Sequence, residues 1–298
     1  MNPNAILFGL LTGSRIDQYH LKSLLGTGSF GGVFLADEVV RNKKIRDVAI
    51  KVIISDRTDA QLNELIAATT LRHQHLLEAH SAGECKLLGY EFIYLVMELA
   101  SDGLQKRLTQ SQLSVAETKQ LVTAVAEVLR FLHDSNRKVH RDLKPANILR
   151  VSSTWKLSDL GLIRDMGANS YINMSKTMGT VAYMPPEIFQ SNHTVSFGWD
   201  TWSLGITIIE SLTGRIPYEN FQTIEQLIVK VSNCDIRIPR LPAPFDAIVQ
   251  GCLQKNYRQR WTASQVLDAY PLEDREYLGH HSRPALHLRN KSRAETWY

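Results

Sequence analysis

The stretch Val139-His140-Arg141-Asp142-Leu143-Lys144-Pro145-Ala146-Asn147-Ile148-Leu149 decides how the rest of the chain is read. It sets a carboxylate (Asp142) two residues before an amine (Lys144) and an amide (Asn147) three beyond that, with Pro145 stiffening the turn. Further on comes Ser158-Asp159-Leu160-Gly161, a second carboxylate beside a glycine that can take backbone angles other residues avoid. In-line phosphoryl transfer needs a carboxylate to orient the attacking hydroxyl, a cation for the moving phosphate and hard oxygen ligands for Mg²⁺. Asp142, Lys144 and the pair Asn147 and Asp159 have that chemistry. A charged surface loop and an unrelated turn would use the same residue types, so the flanking sequence has to decide between them.

Composition narrows the class. The chain has 298 residues, enough for one large domain or two lobes. Its formal charge of +4 comes without long basic runs, so nucleic-acid binding is not implied. Cys85, Cys234 and Cys252 are odd in number and widely spaced, which implies a reducing compartment and no cysteine metal site. Residues 5–11 are apolar but lack a basic flank and are too short to span a bilayer. Residues 204–212 are interrupted by Gly205, Thr207 and Glu210 and read as a buried helix. No membrane segment is visible, and a cytoplasmic location is expected.

Upstream, Leu25-Gly26-Thr27-Gly28-Ser29-Phe30-Gly31-Gly32-Val33 carries a G-x-G-x-x-G spacing that dinucleotide-binding folds also use. Those folds need a helix opening at the glycines, whereas residues 33–40 are rich in strand formers. Two strands joined by a glycine hairpin can lay backbone N–H groups over a triphosphate. In the next strand, Val48-Ala49-Ile50-Lys51, alternation puts Ala49 and Lys51 on one face. Residues 59–72 read as a helix, with Leu62, Leu65, Ile66 and Thr69 at helical spacing, and residues 93–97 as an apolar strand. Ser114 and Glu117 form a capping box ahead of Leu121, Val125, Val128, Leu129 and Leu132, the apolar face of a long helix. Gly214 ends a later helix, and Thr223 with Gln226 and Thr262 with Gln265 begin two more.

In this order and spacing the motifs resemble the protein kinase family, in particular its eukaryotic-like serine/threonine members. The match extends to Gly179-Thr180-Val181-Ala182-Tyr183-Met184-Pro185-Pro186-Glu187, to Trp199-Asp200 and to Arg260. The resemblance implies an α+β, two-lobed fold in which a small, mostly antiparallel β lobe with a helix C precedes a large, mostly α-helical lobe. The expected catalytic domain is 19–270, divided into small lobe 19–97, hinge 98–102 and large lobe 103–270. Residues 1–18 form an N-terminal extension with no assigned role, and 271–298 a flexible tail in which His280, His281 and His287 could also bind metal. No internal repeat and no second folded domain is legible, so regulation falls to the loop itself or to a regulatory protein partner.

By the same resemblance, ATP is held by Gly26, Gly28, Gly31, Val33, Ala49, Lys51, Met97, Glu98, Ala100 and Leu149. Met97 is the gatekeeper, and the backbone of Glu98 and Ala100 bonds the adenine edge. Asp142 orients or deprotonates the substrate hydroxyl, Lys144 stabilises the moving phosphate, and Lys51, paired with Glu64, positions the α- and β-phosphates. Asn147 and Asp159 bind Mg²⁺, for which Mn²⁺ can substitute. Asp200 holds the catalytic-loop backbone, and Arg260 pairs with Glu187. Thr180 bonds Asp142 and Lys144. A phosphate on Thr177, or secondly Ser175, could join Arg141 and Arg164 through charge-assisted bonds. Lys144 and Thr180 favour serine and threonine acceptors among protein substrates, and Ala146, where an acidic residue marks basic-directed relatives, gives no support for arginine-rich targets. Three departures stand out: Leu160 replaces a phenylalanine, Pro185 an alanine, and Ala68 a residue that is often larger. A catalytically silent scaffold and a nucleotide-sensing module are the rival readings.

Overall fold

A computed structural model of the chain describes residues 3–28, 31–55, 58–160, 164–165, 178–190 and 194–270. Period-two alternation builds the first half. Strands β1 (Arg15–Ile16), β2 (Tyr19–Thr27), β3 (Gly32–Val40), β4 (Lys43–Ile54), β5 (Ala79–Leu87) and β6 (Tyr90–Met97) form one antiparallel sheet in the order β1-β2-β3-β4-β6-β5. Phe34, Ala36, Val48, Ile50, Val52, Phe92 and Val96 bury one face of it. Successive side chains alternate sides, so Val33, Ala49, Lys51, Leu95 and Met97 fall on the other face, which lines the cleft described below.

The covered face is closed by the segment before β2, where the sequence has no clear period. Residues 3–10 form helix α1 (Pro3–Leu10), and its Phe8, with Leu11 and Ile16, belongs to the same core as Phe34 and Phe92. A Cβ at Gly32 would lie 2.9 Å from the Phe8 ring, so that position is glycine because the helix packs there. Helix α2 (Asp59–Thr70) lies on the cleft side of the sheet, where Ala68 packs with Ala79 and Leu95. Ala67 and, just beyond the helix, Leu71 join the core of the larger lobe. Paired backbone bonds tie the lobes together, Leu77 N–H to Leu157 O and Leu157 N–H to His75 O, both 2.8 Å.

The second half is mainly helical: α3 (Leu104–Gln110), α4 (Val115–Arg130), α5 (Met178–Val181), α6 (Gly198–Thr213), α7 (Ile224–Asn233), α8 (Phe245–Cys252) and α9 (Ala263–Asp268). Short strands β7 (Asp102–Gly103), β9 (Ile148–Val151) and β10 (Thr154–Leu157) form a small sheet, and β8 (Lys138–Val139) pairs with β11 (Arg164–Asp165). Ser114 caps α4 through both bonds of the box, each such cap contributing roughly 1 kcal/mol. The Ser114 backbone and hydroxyl hold the Glu117 carboxyl below its usual range. Helix α6 is the lobe's axis: every residue from Trp199 to Ile209 is buried, and the polar Asp200, Ser203 and Thr207 among them are hydrogen-bonded. Gly214 ends it at φ +70°, returning its N–H to Glu210 O at 2.8 Å.

Candidate active site

The loop of residues 139–149 hangs from one buried carboxylate. Asp200, at the start of α6 and fully buried, accepts the backbone N–H of His140 and of Arg141, each at 2.8 Å, and contacts His133 Nε2 at 2.8 Å. Burial alone would raise the Asp200 carboxyl, but the His133 bond, the neighbouring histidines and the Arg141 N–H together hold it below the usual range. That grip fixes Arg141 at φ +71°, a region costly for a residue with a side chain. The Arg141 guanidinium lies 5.3 Å from the centre of the Trp199 ring. His140 Nδ1 is 3.2 Å from the Asp142 backbone N and its Nε2 is 3.0 Å from Ser158 O, so one imidazole links the Asp142 and Asp159 segments.

Asp142, Lys144, Asn147, Lys51 and Asp159 are held just beyond. Asp142 is buried, and its carboxylate accepts from Lys144 Nζ at 2.8 and 2.9 Å and from Asn147 Nδ2 at 2.8 Å. Asn147 Nδ2 also donates to Asp142 O at 2.8 Å, which turns the opposite, oxygen end of the amide away from Asp142. Lys144 Nζ donates in addition to Thr180 Oγ1 at 3.1 Å, joining α5 to the loop. Lys51 Nζ, carried across from β4, donates to Asp159 Oδ1 at 2.8 Å. Asp159 itself sits at φ +62°, in a left-handed conformation that aspartate tolerates better than most residues. The following Leu160 is buried in the core that includes Ala67 and Leu71 near α2.

Two hard donors of this set, the Asp159 carboxylate and the Asn147 amide oxygen, could hold a divalent cation. Among the described residues no group of three or more His, Cys, Asp or Glu side chains gathers into a protein-only cage. One carboxylate and one amide suit a cation that phosphate oxygens and water also coordinate.

A cavity of about 510 Å³ lies between the lobes. Gly26, Val33, Ala49, Lys51, Met97, Glu98, Ala100 and Leu149 line it, and Asn147 and Asp159 stand on its wall as well. Gly28 and Gly31 lie outside that lining, at the hairpin that Gly28 N–H closes onto Gly31 O at 2.9 Å. The glycines differ in kind. A Cβ at Gly26 or Gly28 would meet nothing within 4 Å, whereas one at Gly31 would lie 2.2 Å from Val52 O. The Glu98 side chain is itself engaged: its Oε1 accepts the Glu78 N–H at 2.7 Å and Lys156 Nζ at 2.6 Å, fixing the strand at the cavity edge.

Below the loop, Arg260 makes a buried two-bond ion pair with Glu187, both bonds 2.7 Å, and stacks 4.8 Å above Trp202. Tyr183 donates its hydroxyl to Glu210 at 2.5 Å, and Ser203 Oγ donates to Tyr183 O at 2.8 Å. The side chain of Glu64 and residues Ser175, Thr177, His280, His281 and His287 lie outside the described residues, as does the pairing of Lys51 with Glu64.

Residues 19–270 match the family model for the protein kinase domain. The chain belongs to the protein kinase family. It is similar to the serine/threonine-protein kinase fused of Drosophila melanogaster, 32% identical over 85% of this chain and 31% of that protein. It is also similar to human serine/threonine-protein kinase D3, 31% identical over 88% of this chain and 30% of that one. Mitogen-activated protein kinase kinase kinase 3 of Arabidopsis thaliana is 32% identical over 82% of this chain and 41% of its own. The chain thus spans less than half the length of the curated relatives it matches. Protein kinases use ATP, a divalent metal and protein substrates, and the two-lobed fold here is theirs. Among the described residues, no helix of this kinase domain is long and apolar enough to cross a membrane.

Sequence reading of the kinase motifs singled out Asp142, Lys144, Asn147, Lys51, Asp159 and Asp200, whose contacts with one another and with the loop are those given above. It missed His133 behind Asp200, the Glu98 side chain, Phe8 against Gly32 and Tyr183 on Glu210. Only the pair Tyr183 and Glu210 had a signal, a carboxylate inside an otherwise apolar helix that needs a buried partner.

Proposed function

We propose that the chain is a serine/threonine protein kinase that moves the γ-phosphate of ATP to serine or threonine hydroxyls of protein substrates. The carrying observation is the buried Asp142 carboxylate, bonded by Lys144 and Asn147 and linked through Thr180 to α5. In this reading Asp142 accepts the proton of the attacking hydroxyl or aims it in line. Lys144 shields charge on the moving phosphate. Lys51 leaves Asp159 for the α- and β-phosphates and is steadied there by Glu64. Gly26, Val33, Ala49, Met97 and Leu149 sandwich the base, the backbone of Glu98 and Ala100 bonds its edge, and Gly28 and Gly31 keep the hairpin close to the phosphates.

Asn147 and Asp159 would hold Mg²⁺, with Mn²⁺ as a substitute, and the ion would neutralise phosphate charge there. Catalysis is then positioning and electrostatics. We further read 19–97, 98–102 and 103–270 as small lobe, hinge and large lobe. Thr177, then Ser175, are the autophosphorylation sites that would engage Arg141 and Arg164. The small Ala68 on α2 leaves the helix lightly anchored and open to steering by a regulatory protein partner. Three thiols without disulfides support a cytoplasmic setting; burial pushes Cys85 to about 11 and Cys252 to about 12.

The test is transfer of labelled phosphate from ATP to a generic protein by the full chain, beside Asp159→Ala, with the phosphosites mapped. Label on serine or threonine of the substrate, and on Thr177 or Ser175, lost in the variant, is the expected result. ATP binding with no transfer under any metal would sink the reading in favour of a scaffold or a nucleotide sensor.

A further inference from the structure

A second cavity, about 1080 Å³, opens beside α5 and the C-terminal end of α6 and shares no lining residue with the interlobe cleft. Its near wall is Gly179, Ala182 and Tyr183. Thr180, within that run, is the residue that Lys144 bonds while holding Asp142. A polypeptide whose hydroxyl reaches Asp142 would run beside α5, with its neighbouring residues close to this groove.

The groove's outer wall is basic. Arg215, Arg237 and Arg240 line it, and all three are exposed. Arg237 has a loose partner, Glu219, at 3.6 Å, with both side chains largely in water. Arg215 and Arg240 form no ion pair with any carboxylate among the described residues. The groove's other acid, Glu210, takes the Tyr183 hydroxyl, and burial raises its carboxyl, so it is the weaker anion of the set. On the acceptor side Ala146 adds no carboxylate. The balance left for a ligand is positive, in the form of two guanidinium forks that match carboxylates.

We propose that this groove selects protein substrates carrying acidic residues beside the phosphoacceptor, with Arg215 and Arg240 as the residues that set the preference. The proposal rests on the kinase reading above and adds its substrate class. Exposed charge pairs are individually weak and salt-screened. Two acting together should give a preference of about tenfold, expressed in KM rather than kcat, because they touch groups remote from the reacting atoms.

The experiment uses the full chain and three serine peptides that differ only in flanking residues: aspartate and glutamate, glutamine, or arginine, placed on either side. Steady-state kinetics are measured for wild type and for Arg215→Ala/Arg240→Ala, at low and high salt. In parallel, a fluorescent acidic peptide with alanine in place of the acceptor reports binding by anisotropy, without any turnover. The expected result is an acidic-over-neutral KM advantage of about tenfold that shrinks with salt and vanishes in the double variant, as does the anisotropy signal. Equal KM values, an arginine preference, or a preference that survives the double substitution would overturn it. If no peptide is phosphorylated but arginine-dependent binding of the acidic peptide remains, the groove stands and the transfer reading falls. Loss of both would remove both. Because the two arginines are exposed, melting of the double variant should match wild type.

Discussion

The interlobe cleft and the groove beside α5 share no lining residue, and they hold their charges in opposite ways. At the cleft and the loop beside it, cations meet anions inside the chain: Lys51 with Asp159 on the cleft wall at 2.8 Å, and Lys144 with Asp142 in the loop at 2.8 Å. In the groove, Arg215 and Arg240 point no charge-assisted bond at any described carboxylate. Burial accounts for the difference. Lys51 and Asp142 are each under a tenth exposed, and a charge removed from water has to be paired. The groove arginines stay hydrated and cost nothing while they wait. In the proposed reading, chemistry therefore stands preassembled, and selection is left to charges that only a ligand completes.

The largest effect should come from the preassembled side. Asp159→Ala removes the proposed metal donor and a partner of Lys51 together, and turnover should fall by about 10³-fold or more, read as initial rate at saturating ATP. Unfolding should stay cooperative, since the carboxylate supports no core. A rate within tenfold of wild type would mean that the cleft's pairing is structural only, and that the contrast with the groove is false.

Next in size is the buried ion pair of Arg260 with Glu187. Arg260→Ala leaves Glu187 buried and unpaired and removes the cation over Trp202. Breaking a buried pair this way costs roughly 3–5 kcal/mol, so denaturant unfolding should shift by that amount, while Arg215→Ala should shift by less than about 0.5 kcal/mol. Similar shifts for the two arginines would erase the distinction between paired and waiting charges.

Within the glycine hairpin the same contrast recurs between packing and ligand space. Gly31→Ala drives a methyl into Val52 O, a clash expected to cost about 1–3 kcal/mol, visible as lowered thermal stability without nucleotide. Gly26→Ala has open room, so its stability should be unchanged and its effect confined to a raised KM for ATP. If Gly26→Ala were the less stable of the two, the open space at that position would have another cause.

Sequence exposed what is local and hid what is assembled. Asp142, Lys144 and Asn147 sit within six residues, and their mutual bonds follow from that turn. Lys51 and Asp159 are 108 residues apart, and nothing but family resemblance brings them to one cleft. Phe8 lies in an eight-residue helix without a periodic stripe, so its burial against Gly32 is decided by the sheet and not by its own segment. Glu98 could be read as a cavity-edge residue, but its side chain serves Glu78 and Lys156 from other elements. Arg215, Arg237 and Arg240 are scattered singly through loops, so a chain of +4 with no basic run gives no hint that they share one wall.

The smallest effect concerns Glu210, the one groove charge that burial has already weakened. Its carboxyl is raised above the ordinary value by burial, against the opposing bond from Tyr183. An acid whose folded value is raised favours the folded state below its unfolded value, about 4.3 for glutamate, and loses that contribution as pH climbs through the folded one. Wild-type stability should therefore decline over that interval by a component that Glu210→Gln lacks, since glutamine still accepts the Tyr183 hydroxyl but does not ionise. The difference in melting temperature, variant minus wild type, should grow more positive from acid to neutral pH and then level. A difference that is flat across the interval, or that falls, would mean that Glu210 ionises in the groove without penalty. It would then count as a full negative charge facing Arg215 and Arg240, and the groove's positive balance would shrink accordingly.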